Sequence, residues 1–308
     1  MDLELTVIGL AFAVCAGILF LGVIPYYSVK HLGDQKMPPI PKGRVPIRGF
    51  GLPDIIGVSV LFGFYAILFH LSQLAAVPEP AVPEPAVPEP AEPIEAAELI
   101  SGLIFSLLLQ GLQIAFVLFV LSRRVNLLET FGLRWRSTWW KVIYAPAVVF
   151  VMWAFMAVLD FLGYNEWLGQ FIEGDGMQES VKLLRETTEP LVFILMALVA
   201  CVGAPLAEEV VFRGYIYTTV KRMAGLPVAV IFSGLLFGVV HMNLIALLPL
   251  TILGIILALS YEYTGSLWAP IAIHFFFNAA TVAMQTLLKF NPDLLDEIEK
   301  NAGFVPLW

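Results

Sequence analysis

Of the 308 residues, 59% are hydrophobic and only 14% charged, against roughly 45–50% apolar and 25% charged in soluble domains, which excludes an ordinary water-soluble fold. Cys15 and Cys201 lie far apart, each inside an apolar run, which excludes a disulfide framework and a cysteine metal site. The net charge of −8 says little about partners because it is spread so unevenly; a lipid bilayer is the expected surrounding, and no nucleic-acid partner is expected.

Met1-Asp2-Leu3-Glu4 lacks the basic n-region of a secretory signal, so the first apolar run reads as a retained helix. Uncharged apolar runs near Leu5–Tyr27, Ile55–Leu74, Leu99–Leu121, Val142–Gly163, Leu191–Val220, Leu226–Met242, Leu244–Tyr263 and Ser266–Phe290 are each candidates for crossing a hydrocarbon core of about 30 Å. The expected fold is therefore all-α, a polytopic transmembrane helical bundle of about eight spans.

Lys30, Lys36, Lys42, Arg44 and Arg48 follow the first span, Arg123, Arg124, Arg134, Arg136 and Lys141 the third, and Lys221 and Arg222 the fifth. These alternate loops hold twelve of the seventeen basic residues, so the positive-inside rule places them in the cytoplasm and both termini outside. Trp135, Trp139, Trp140 and Trp167 flank spans as interfacial anchors do. Asp160 and Glu262 fall near span ends, where they are expected to reach water.

Residues 77–91 repeat Val-Pro-Glu-Pro-Ala three times. Closely spaced prolines block helix and the glutamates repel one another, so this reads as an extended external spacer. A second external stretch, Asn165–Pro190, mixes apolar and charged residues as a segment on the membrane surface does. The chain thus divides into N-terminal transmembrane helices (1–74), a Pro/Glu-rich external loop (75–98), further transmembrane helices with an external segment (99–189), a hydrophobic core (190–290) and a tail (291–308).

Ionisable groups at membrane depth cost about 2.5–3.5 kcal/mol each on insertion scales, so those in the late spans ask for a reason. The fifth span carries Glu208-Glu209-Val210-Val211-Phe212-Arg213, the sixth Phe237-Gly238-Val239-Val240-His241, and the eighth His274-Phe275-Phe276-Phe277-Asn278. Glu209 and Arg213 are four apart and can form an internal ion pair, while Glu208, turned by about 100°, can present its carboxylate to a cavity. His274 and Asn278 also project together. Counting helical rise from the basic loops permits one cavity shared by all these groups, with its mouth toward the cytoplasm. His70, Gln110 and Gln113 read as interhelical hydrogen-bonding glue, and Phe237 with Phe275–Phe277 as packing or lipid contacts.

Glu-Glu-x-x-x-Arg, Phe-x-x-x-His and His-x-x-x-Asn, in this order on successive hydrophobic helices, resemble the signature of the CAAX-protease and bacteriocin-processing (CPBP, or ABI) family, which includes the type II CAAX prenyl endopeptidases. The likeness covers roughly Pro190–Leu288. It implies an intramembrane protease of a bacterial plasma membrane acting on membrane-associated or lipidated proteins. In it Glu208 is base to a water shared with His241, His274 and Asn278 stabilise an oxyanion, and Glu209 with Arg213 braces the site.

Metal dependence stays open: one Glu and two His suit a divalent cation such as zinc, yet the His-Glu-x-x-His zinc helix is absent. Two non-proteolytic readings use the same cavity. One is a bacteriocin self-immunity factor or membrane scaffold. The other, ion-coupled transport, is disfavoured because the two halves show no paired broken helices.

Overall fold

The computed structural model describes residues 3–32, 43–75, 96–134, 139–172, 178–291 and 293. The Val-Pro-Glu-Pro-Ala repeat, Trp135 and nearly all of the tail lie outside the described residues. Among those described, every regular element is helical.

Eight apolar helices organise the chain. They are α1 (Leu3–Lys30), α2 (Leu52–Ala75), α3 (Ala96–Ser122), α4 (Ala145–Phe161), α5 (Pro190–Ala224), α6 (Leu226–Val239), α7 (Leu244–Thr264) and α8 (Trp268–Phe290). Seven are long and apolar enough to cross a membrane; α6, with 14 residues, spans only about 21 Å. The protein is a multi-pass integral membrane protein. Outward-facing side chains are themselves apolar, with Leu21 and Phe161 each more than 80% exposed, as lipid-facing positions require.

The expected sixth span therefore stops short of Met242, and His241 lies in a turn beyond the helix rather than within it. Met242 takes a left-handed conformation (φ 52°), and Asn243 caps the next helix by accepting the Ala246 N–H at 2.8 Å. The chain returns at once as α7, packed along α6. Gly234 and Gly238, four apart, make this approach close: a Cβ at 238 would stand 2.4 Å from Thr251 Oγ1, and one at 234 would stand 3.0 Å from the Thr251 carbonyl.

Two stretches of α5, Val199–Gly203 and Glu209–Tyr217, are wound as π-helix, a wider turn that often marks functional sites. Pro205 lies between them. Around α5 the bundle closes, with α3 against Ala204–Glu208, α6 against Glu209–Tyr217, and α8 against Val199–Gly203. On the other side α1 packs on α6, and Glu4 Oε1 accepts the Leu244 N–H at 2.9 Å, satisfying a donor at the start of α7.

The basic loops meet at one end of the bundle. Arg124 makes two bonds to Asp54 (2.6 and 2.9 Å), which hold its guanidinium pKa above the ordinary value. The Arg44 amide donates to Glu262 Oε1 at 2.9 Å, and the Ser266 hydroxyl to the Gly132 carbonyl at 2.6 Å. Glu262 is mostly withdrawn from water rather than simply solvated as a span-end carboxylate: its Oε2 accepts both Lys221 Nζ and the Tyr217 hydroxyl at 2.6 Å, and both Lys221 and Tyr217 are fully buried. The segment 43–50 packs over this end and shuts out solvent, with Val45 and Ile47 buried and the Val45 carbonyl accepting from Lys221.

Candidate active site

Glu208 falls where α-helix gives way to π-helix in α5, and α3, α6, α7 and α8 wall a cavity of about 300 Å³ in front of it. Glu208, His241, His274 and Asn278 all line this cavity. Glu209 and Arg213 lie behind it, both fully buried.

The buried layer is a chain of charged hydrogen bonds. Arg213 donates from Nη1 to Glu209 Oε1 at 2.8 Å and from Nη2 to the Gly254 carbonyl at 3.2 Å. Its guanidinium also stands 4.4 Å from the centroid of the Phe237 ring, a cation–π distance. The same Glu209 oxygen meets His274 Nδ1 at 2.9 Å. A carboxylate paired with arginine accepts only, so Nδ1 carries the proton and Nε2 is directed away, to within 4.0 Å of Glu208 Oε2. That separation is too long for a direct hydrogen bond and suits a bridging water.

His241 is oriented in the same way by a different group. Its Nδ1 lies 2.7 Å from the Phe237 carbonyl, one of the last acceptors of α6, which has no partner further along the helix. A carbonyl accepts only, so Nε2 is again the free nitrogen. Phe237 sits between the two imidazoles, 4.9 Å from His241 and 5.6 Å from His274 between ring centroids, and is fully buried. It is packing, as its aromatic character suggested, and it also seats Arg213.

Asn278 is placed differently from an unencumbered oxyanion donor. Its Nδ2 donates to the Ala200 carbonyl of α5 at 2.7 Å, leaving one amide hydrogen uncommitted.

The cavity leads away from the basic loops, contrary to the expectation from helical depth. Beyond Glu208 and His274 it is lined by Ser106, Thr281, Val181 and Leu184, the last two from the amphipathic helix Glu179–Glu186. The basic end is closed by packed side chains, since Phe212, Tyr215, Tyr217 and Tyr261 are all buried there. Depth counting found the level of the site but not which end of the bundle was plugged.

Gln110 is the lining residue that sequence reasoning assigned elsewhere. Gln113 is interhelical glue, accepting the Tyr65 hydroxyl at 2.6 Å, but Gln110 lines the cavity with its Oε1 buried and without a hydrogen-bond partner. The spacing of Leu103, Ser106 and Gln110, three and four residues apart, places them on one face of α3, but Gln113 continues the same spacing, so sequence alone did not separate the two glutamines.

Comparison with known proteins agrees with the resemblance carried by the sequence motifs. Residues 190–280 match the model of the family described as type II CAAX prenyl endopeptidase Rce1-like. The match bears out the resemblance to the CPBP family over this segment. The chain is similar to "Putative membrane peptidase YdiL" of Bacillus subtilis (strain 168), with 34% identity over 91 residues, 30% of this chain and 37% of the relative. It is also similar to "Membrane-embedded CAAX protease MroQ" of Staphylococcus aureus (strain USA300), with 33% identity over 119 residues, 36% of this chain and 46% of the relative. The matches thus span less than half the length of either relative. No solved structure matches the chain significantly. All six signature positions, Glu208, Glu209, Arg213, His241, His274 and Asn278, fall inside the matched segment.

Among the described residues no three His, Cys, Asp or Glu side chains converge closely enough to hold a metal ion. The donors present therefore do not form a zinc site as arranged, although two imidazoles with Nδ1 fixed would suit a divalent cation chemically.

Proposed function

We propose that this protein is an intramembrane endopeptidase that hydrolyses peptide bonds of membrane-associated or lipidated proteins with a water activated by Glu208. The supporting observation is that Glu208 and His274 Nε2 face each other across 4.0 Å in a cavity that also takes in His241 and Asn278. The names of the relatives, "Putative membrane peptidase YdiL" and "Membrane-embedded CAAX protease MroQ", point the same way.

In this reading Glu208 takes a proton from a water that also bonds His241 Nε2, and the resulting hydroxide attacks the scissile carbonyl carbon. Negative charge then develops on the carbonyl oxygen. His274 Nε2, when protonated, and the remaining Asn278 amide hydrogen are the donors for that charge, in surroundings that keep bulk water away. The proton held by Glu208 passes to the departing amine as the C–N bond breaks. Glu209 and Arg213 touch no reacting atom; they fix the proton on His274 Nδ1 and hold the ring in place.

The test is comparative proteomics of membranes carrying wild-type or Glu208→Gln protein, followed by a purified assay on the fragments found. Glu208→Gln keeps size and hydrogen bonding but removes the base, so cleavage products should disappear while their precursors accumulate. Unchanged cleavage would overturn the hydrolase reading in favour of a scaffold. Activity that survives exhaustive chelation would exclude an essential zinc ion.

A further inference from the structure

Gln110 stands on the cavity wall contributed by α3, the helix packed against the turn Ala204–Glu208 that carries the proposed base. Its Oε1 is fully buried and has no partner. Buried polar groups are nearly always satisfied, and an exception asks for an explanation. Packing does not supply one. Its neighbour on α5 is Gly203, where a Cβ would stand 3.4 Å from Gln110 Oε1 and 3.3 Å from Leu107 Cδ2, so the amide lies against a backbone position that offers it no side-chain partner.

The surroundings define what the amide can recognise. Leu103 lies on the same face of α3, and Val181, Leu184 and Met196 line the same path toward the mouth. The hydroxyl of Thr281, across the cavity on α8, is committed to the Phe277 carbonyl at 3.2 Å. A channel that is mainly apolar, with Ser106, Gln178 and Ser180 as its further polar lining, and that carries an uncommitted primary amide fits an extended peptide with apolar side chains, because the amide offers the acceptor and the donor that a peptide main chain pairs with. Such pairing is indifferent to side-chain identity, and the apolar walls supply the preference.

We propose that Gln110 is a substrate-binding residue, pairing through its side-chain amide with the main chain of an extended apolar segment that enters past Glu179–Glu186 toward Glu208. This rests on the proteolytic reading and adds to it the binding mode and the apolar, extended character of the substrate.

The proposal separates from a structural role by direction. Removing an unpaired buried acceptor should not weaken the fold, so Gln110→Leu should keep or raise the melting temperature in detergent while KM rises about tenfold, the loss of one hydrogen bond, with little change in kcat. The probe is a synthetic peptide spanning the strongest cleavage site lost in Glu208→Gln membranes. Gln110→Asn, which retains the amide on a shorter arm, should recover part of the KM effect. Gln113→Leu, which breaks the bond to Tyr65 on the same helix, should lower the melting temperature and leave KM alone.

An unchanged KM in Gln110→Leu overturns the inference while leaving the protease intact, and so does a fall in melting temperature and yield with normal kinetics in the surviving protein. Absence of any cleavage difference between wild-type and Glu208→Gln membranes removes the underlying reading, and the inference with it.

Discussion

Asn278 bonds to the Ala200 carbonyl where the backbone N–H of Pro205 is missing. At the end of the π-helical stretch Val199–Gly203 the backbone bond reaches five residues back, the Ala204 N–H donating to the Val199 carbonyl. The next bond in that register would run from residue 205 to Ala200, and proline has no N–H to make it. The Asn278 amide fills the gap at 2.7 Å and ties α8 to α5 about two turns before Glu208.

Asn278→Ala should therefore leave an orphaned carbonyl and cost about 1–3 kcal/mol of stability, together with loss of activity. Pro205→Ala restores the N–H. If Asn278 both braces the helix and serves the oxyanion, the double variant should regain melting temperature but not turnover. Recovery of both would reduce Asn278 to a brace.

Much of this arrangement is legible in the sequence, for physical reasons. Spans follow from hydropathy because the bilayer demands long apolar runs, and the Glu209–Arg213 bond follows from residues four apart on one helix. The gathering of basic loops at one end follows from their alternation. What escaped depends on how helices meet. His241 leaves α6 because Gly234 and Gly238 press that helix onto α7 and Asn243 caps the return, a device readable only once the partner helix is known. Glu262 counted as a span-end carboxylate because its partner Lys221 lies 41 residues away on another helix. The direction of the cavity depended on that same buried plug, and Gln110 could not be told from Gln113 without the face that each presents.

That plug makes a prediction about stability. Lys221, fully buried, and Glu262, nearly so, form an ion pair, with Tyr217 on the same oxygen. Removing one partner of a buried pair strands the other at about 3–5 kcal/mol, whereas replacing both with neutral groups of similar volume is often tolerated. Lys221→Met alone should lower the melting temperature in detergent sharply, and Lys221→Met with Glu262→Gln should recover most of the loss. Equal losses in the single and double variants would show that the pair is not coupled.

Topology can be read by accessibility. With Cys15 and Cys201 replaced, single cysteines at Arg44 or Arg123 should react with an impermeant thiol reagent only from the cytoplasmic side. A cysteine at Ser180, on the helix beside the cavity mouth, should react only from outside, and so should one within 77–91. Labelling of Arg44 and Ser180 from the same face would contradict both the topology and an outward-facing mouth.

Arg213 gives the sharpest separation between folding and chemistry. It is fully buried, donates to Glu209 and to the Gly254 carbonyl, and lies against Phe237, yet lines no part of the cavity. Arg213→Ala removes the guanidinium that pairs with Glu209 and leaves a carboxylate held only by His274 Nδ1, among the described residues, in a low-dielectric interior. The expected cost is about 3–5 kcal/mol, read as reduced membrane yield and melting temperature, with activity lost as well. Adding Glu209→Gln removes the stranded charge while its amide oxygen can still accept the His274 Nδ1 proton. Yield should then recover, and turnover should return in part if ring orientation is what the brace supplies. Glu208→Gln, His241→Ala and His274→Ala should behave in the opposite manner, accumulating normally while losing at least about 10²–10⁴ in rate. Restored yield with no return of turnover would mean that the negative charge of Glu209, and not its position alone, is needed to hold the protonated form of His274 against the oxyanion.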